Sequence, residues 1–146
     1  MAIFIKNQQK TIDLDLRLLA RDLTKALRHL RLQEAELSVL FVNSSRMKIL
    51  NTRYRGIPKD TDVLSFPLGD EGPHGAPVML GDIVVSVPKA LEQAKVFKVP
   101  FYDELLRLLV HGLLHLVGYD HEISTYQKKK MNKKEQELLD ALKKMA

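Results

Sequence analysis

Three of the five histidines in this 146-residue chain lie in one eleven-residue stretch, His111-Gly-Leu-Leu-His115-Leu-Val-Gly118-Tyr-Asp-His121. This spacing constrains what the segment can fold into. Two histidines four apart share one face of a helix, with Cβ atoms roughly 5–6 Å apart. Both imidazoles can then reach one ion at bond lengths of about 2.0–2.1 Å. Gly118 can end the helix in a left-handed conformation and turn the chain so that His121 returns to the same ion. Leu113, Leu114 and Leu116 bury the helix around the imidazoles, where an unpaired polar group is costly. The pattern predicts a metal clamp of His111, His115 and His121. Three neutral nitrogens leave one position open on a tetrahedral zinc, which is the arrangement of a catalytic site.

The rest of the chain narrows the ligand chemistry. It has no cysteine, so disulfides and thiolate ligands are excluded and any metal falls to His, Asp or Glu. The length predicts one domain, residues 1–146, with a real core. Hydrophobic residues at 45% and charged residues at 28% are the proportions of a soluble globular protein. No run approaches the roughly 18 apolar residues of a membrane span. The start, Met-Ala-Ile-Phe-Ile-Lys, lacks the apolar stretch of a secretory signal, so a cytoplasmic location is expected. Much of the net charge of +5 gathers at the end, where Ser124 to Ala146 holds seven lysines against Glu135, Glu137 and Asp140. A basic helix there could track a phosphate backbone. A lysine run is a weak motif, however, and a solvated face accounts for it as well.

Periodicity places the motifs on elements. Ala2 to Asn7 alternates weakly, as an edge strand does. Asp13 to Leu32 repeats leucine and alanine at helical spacing, and Leu37 to Val42 is short, apolar and β-branched, as in a buried strand. Asn43 and Ser44 cap a helix through Met47, Leu50 and Tyr54 that Gly56 and Pro58 break. Asp62 to Phe66 forms a strand that Pro67 stops, residues 69–77 read as a loop, and Val78 to Val87 forms another strand. Pro88 opens a helix running to about Phe97. Pro100 opens the next, Leu105 to Leu116, which carries the first two histidines. Ser124 with Gln127 makes a capping box for the last helix. The sum is an α+β fold: about four strands in a mixed sheet packed with about five to six helices, one of them a zincin-like metal helix.

The histidine offsets match those of the metzincin proteases, H-E-x-x-H-x-x-G-x-x-H. There a glutamate follows the first histidine and acts as general base. Here that residue is Gly112, which can abstract nothing, so the metal geometry survives while the protease's base is absent.

The same stretch resembles another family closely. His111-Gly112-Leu113-Leu114-His115-Leu116-Val117-Gly118-Tyr119-Asp120-His121 is similar throughout to the H-G-x-L-H-L-x-G-Y-D-H motif of the YbeY family, bacterial endoribonucleases of ribosomal RNA maturation. Two further blocks agree: Leu50-Asn51-Thr52-Arg53-Tyr54-Arg55-Gly56 followed by Thr61-Asp62-Val63-Leu64-Ser65-Phe66-Pro67, and the shorter Leu80-Gly81-Asp82-Ile83. The resemblance implies one zinc ion on His111, His115 and His121 and a functional arginine at Arg55. It also implies cleavage of single-stranded RNA and association with the small ribosomal subunit.

On that reading Arg55 could hold a phosphate through paired N–H donors, a geometry lysine cannot reproduce; a helix-terminal charge before Gly56 is its plainer role. Asp82 and Asp120 are candidates for orienting a ligand imidazole, or else simple strand-end and turn residues. Thr61 and Asp62 start a strand, and His29 and His74 read as ordinary surface histidines. With no glutamate as base, attack on the phosphate falls to water or to an RNA 2′-hydroxyl. Two other functions compete: a metal-dependent hydrolase of peptides or small amides, and a non-catalytic ribosome-assembly factor with structural zinc.

Overall fold

Residues 2–70, 79–119 and 124–144 are described in the computed structural model of the chain. Four strands form one sheet: β1 (Ala2–Asn7), β2 (Glu36–Val42), β3 (Val63–Asp70) and β4 (Met79–Ser86), in the spatial order β1-β2-β4-β3. β1, β2 and β4 run parallel, and β3 joins β4 antiparallel as the far edge. Five helices accompany them among the described residues: α1 (Leu16–His29), α2 (Ser44–Arg55), α3 (Val87–Phe97), α4 (Phe101–Leu116) and α5 (Thr125–Lys144). This is the α+β arrangement expected from the sequence. No described helix is long and apolar enough to cross a membrane.

The two sheet faces carry different helices. Leu37, Val39 and Phe41 of β2 and Ile83 and Val85 of β4 join the buried residues of α1, α4 and α5 in the larger core. The alternate residues Val42, Val84 and Leu64 pack with Met47 of α2, flanked by Leu40, Leu50 and Phe66. The period-two alternation of a strand thus puts α2 on one face and α4 on the other. Because the central strands are covered on both sides, they read as continuous apolar runs.

The element boundaries depart from expectation in ways with local causes. α1 begins at Leu16 because the Asp15 carboxylate accepts from the Leu18 N–H and caps the helix there. α4 begins at Phe101, a turn ahead of the first periodic leucine, with Pro100 before it and the dipole-compatible acids Asp103 and Glu104 in its first turn. Pro67 does not stop β3, which runs on to Asp70. An edge strand tolerates proline, which cannot donate to the ladder, and the register slips between Pro67 and Asp70. The loop expected over 69–77 falls mainly on 71–77, outside the described residues.

Candidate active site

α4 carries the first two histidines, and its ends explain where they sit. Ten of its residues are buried, among them Leu105, Leu108, Leu109, Leu113 and Leu114. The helix closes as predicted at Gly118, which has φ +105°. The Gly118 N–H donates to the His115 carbonyl at 3.2 Å and the Tyr119 N–H to the Leu114 carbonyl at 3.0 Å. That pair of bonds is the Schellman termination, and it ends the helix just after His115. His121 and Asp120, the third proposed ligand and its neighbour, lie outside the described residues, as does His74.

The His111 and His115 rings stand 4.8 Å apart between centroids and 73° from coplanar. Both line a cleft of about 770 Å³. Its second wall is the return from α2 into β3, from Thr61 to Ser65 with Pro67, and Arg55 lines it as well. Arg55 ends α2, where Gly56 adopts a left-handed cap with φ +70°. The buried Asn51 amide donates to the Lys59 carbonyl at 2.9 Å and pins the loop that follows. Two helices on opposite faces of the sheet thereby deliver Arg55 and the imidazoles to one cleft at the β3 edge.

The position after the first histidine is turned away from that cleft. The Gly112 carbonyl accepts from the Ser65 hydroxyl at 3.2 Å. A Cβ on Gly112 would stand 2.8 Å from Cγ2 of Ile83. The sheet therefore fills the space that a protease's glutamate would enter, and a peptide hydrolase of that type has neither its base nor room for one.

Among the described residues, Asp82 does not orient the imidazole of His111 or His115. It precedes Ile83 on β4 and so points to the face that carries α2, opposite α4. Among the described residues, the carboxylate beside His111 comes from α5. Glu135 Oε2 lies 3.4 Å from Nδ1 of His111 and its Oε1 lies 3.5 Å from Nη1 of Arg107. Arg107, which also lines the cleft, donates to Glu104 through Nε at 2.7 Å and Nη2 at 2.9 Å. The hydrogen bond to Glu104 holds the Arg107 guanidinium above its ordinary pKa, against the opposing effect of burial. Neither Arg107 nor Glu135 was marked by the sequence motifs.

The remaining sequence candidates are placed plainly. The Asp62 carboxylate accepts from the Val63 N–H at 2.8 Å, so it starts β3 while also facing the cleft. His29 Nε2 sits 3.9 Å from Glu137 at the surface. Ser124 accepts from the Gln127 N–H at 3.1 Å and caps α5, as expected. Lys128, Lys129, Lys130 and Lys133 of α5 are exposed. The Lys130 ammonium lies 6.0 Å from the centre of the Tyr119 ring, which lines the cleft.

Comparison with known proteins follows the same lines. The family model described as endoribonuclease YbeY matches residues 4–143. A relative of that name from Syntrophus aciditrophicus is 45% identical over 141 residues, covering 94% of this chain and 88% of its own length. One from Thermodesulfovibrio yellowstonii is 47% identical over 107 residues, covering 73% and 67%. A solution structure of a Thermotoga maritima protein superposes with a TM-score of 0.69 at 31% identity, covering 96% of this chain and 88% of that one.

Proposed function

The chain belongs to the endoribonuclease YbeY family, and from that membership we propose that it cuts single-stranded RNA with one zinc ion during ribosomal RNA maturation. The observation that supports this reading best is the meeting of His111, His115 and Arg55 in one cleft. Residues 1–146 act as one domain in this proposal. The family alone supports a cytoplasmic location and a place on the small ribosomal subunit.

The donor set fits zinc. Two imidazoles one helical turn apart meet edge-on with their ring centres 4.8 Å apart, and one has its Nδ1 turned to a buried carboxylate; neutral imidazole nitrogens suit zinc. His111, His115 and His121 would hold the ion. Bound there, it would supply a Lewis acid for the charge that builds on a phosphate.

The chain's own groups do the rest. Arg55 binds and orients the scissile phosphate through its planar fork. The Ser65 hydroxyl is committed to the Gly112 carbonyl and is not a nucleophile. Tyr119 and Lys130 form a ring and a charge at the cleft rim, a combination suited to an unpaired base and its phosphate.

The test compares the purified protein with His115→Ala and Arg55→Ala on a single-stranded RNA and on the matching duplex. Loss of one group aimed at developing charge costs about 10²–10³ in rate, so Arg55→Ala should fall by that order while the parent spares the duplex. Equal cutting by all three proteins would sink the enzymatic reading. Metal analysis that finds no zinc would remove the ion from it.

A further inference from the structure

We propose that Glu135 is a positioning residue: it fixes which nitrogen of His111 faces the cleft and so sets how tightly the site holds zinc. The proposal rests on the metal-site reading above. A neutral imidazole carries one proton on either of two nitrogens, and only the bare nitrogen can bind a metal. With Oε2 of Glu135 at 3.4 Å from Nδ1, the proton is drawn to Nδ1 and Nε2 is left as the bare nitrogen. A carboxylate on the far nitrogen also raises the basicity of the ligand and holds its ring in place.

The carboxylate is itself held. Glu135 is 8% exposed, and its other oxygen faces Nη1 of Arg107 at 3.5 Å. Glu104, 1% exposed, grips Arg107 by two bonds and accepts a further one from Nε2 of Gln93 at 2.7 Å. A chain of polar contacts thus runs from α3 through α4 to α5 and ends on the imidazole.

Stability alone does not explain a carboxylate at this position. Residues 131, 135, 138 and 142 form the buried stripe of α5, and the other three are Met131, Leu138 and Leu142. An apolar residue at 135 would continue the stripe without desolvating a charge, and such replacements are often neutral or stabilising. What an apolar residue cannot do is accept a hydrogen bond from His111.

The experiment measures zinc dissociation constants by competition with a chromophoric chelator for the parent, Glu135→Met and Glu135→Gln. Thermal unfolding of the metal-free proteins is followed in parallel. Glu135→Met keeps length and burial but has no oxygen acceptor, and its zinc affinity should fall by about 10–100-fold, the range for losing such a partner. Glu135→Gln keeps a carbonyl oxygen and should recover most of that loss, a rescue that a purely structural tether would not predict. Zinc binding by Glu135→Met equal to the parent's overturns this proposal alone. A parent that takes up no zinc overturns the metal-site reading and this proposal with it. One further measurement needs no variant: long-range proton–nitrogen spectra of the metal-free parent should show His111 protonated at Nδ1, and a proton on Nε2 overturns the assignment.

Discussion

Replacing Gly112 with alanine tests how closely the histidine helix seats on the sheet. The new Cβ would lie 2.8 Å from Cγ2 of Ile83 and 3.1 Å from the Ser65 hydroxyl, where carbon atoms ordinarily meet at about 3.5–4.0 Å. Neither neighbour yields easily. Ile83 is fully buried on a central strand, with a β-branched side chain stiff about χ1, and Ser65 is tied to the Gly112 carbonyl itself. Overpacking of this kind costs about 1–3 kcal/mol. Alanine returns about 1 kcal/mol through its better helix propensity. The expected balance is a loss of up to about 2 kcal/mol, which for a chain of this length lowers Tm by up to about 6 °C. Urea and thermal unfolding read it directly.

A double-mutant cycle isolates the cause. In an Ile83→Ala background the offending methyl is gone, so Gly112→Ala should become neutral or stabilising, with a coupling within the range of about 0.5–3 kcal/mol seen for touching residues. A Gly112→Ala protein more stable than the parent, as helix propensity alone would make it, or additivity in the cycle, would refute the tight seat. Gly112→Glu is expected to unfold the chain rather than create a peptidase, because its side chain would be driven into the sheet between β3 and β4. Peptide hydrolysis by a folded Gly112→Glu protein would show that the position opens to the cleft after all.

Three other outcomes follow from the same structure. The Tyr102 hydroxyl donates to the buried Asp22 carboxylate, and burial first, then that bond, holds its pKa well above the ordinary value. The folded state therefore keeps a proton the unfolded chain releases: this stability is full below about pH 10 and is lost as pH rises beyond it, by up to about 1.4 kcal/mol per pH unit. Tyr102→Phe should flatten the alkaline limb of the stability curve, and identical slopes would dismiss the contribution. Gly118→Ala meets no atom within 4 Å but must adopt φ +105°, so backbone strain alone should cost about 1–3 kcal/mol and weaken zinc uptake measured by chelator competition; unchanged stability would mean the turn relaxes freely. Changing Lys128, Lys129, Lys130 and Lys133 to glutamine should reduce the salt slope of single-stranded RNA binding by about 0.7 for each phosphate those lysines had neutralised, whereas an unaltered slope assigns them to solvation.

What the sequence revealed and what it hid have one physical origin. The helix, its Gly118 ending and the absence of a base at Gly112 depend on neighbours within a few positions, so spacing alone exposes them. The side of the sheet that Asp82 occupies depends on alternation, and β4 reads Ile83-Val-Val85 because both faces are covered; the pattern that would have placed Asp82 away from the imidazoles is erased by burial. Pro67 misled because a proline ends a central strand but not an edge one, and edge position is set by strands far away in the chain. Glu135 was hidden differently. Counted among the charges of a lysine-rich tail, it looked like one acid offsetting its neighbours. Yet Met131, Leu138 and Leu142 recur at helical spacing, and position 135 completes their stripe. A carboxylate in an apolar stripe has to be satisfied by a partner on the opposing element. The element packed there is the one that carries His111, so the tail that seemed to offer only positive charge to RNA also holds the residue that can set the imidazole.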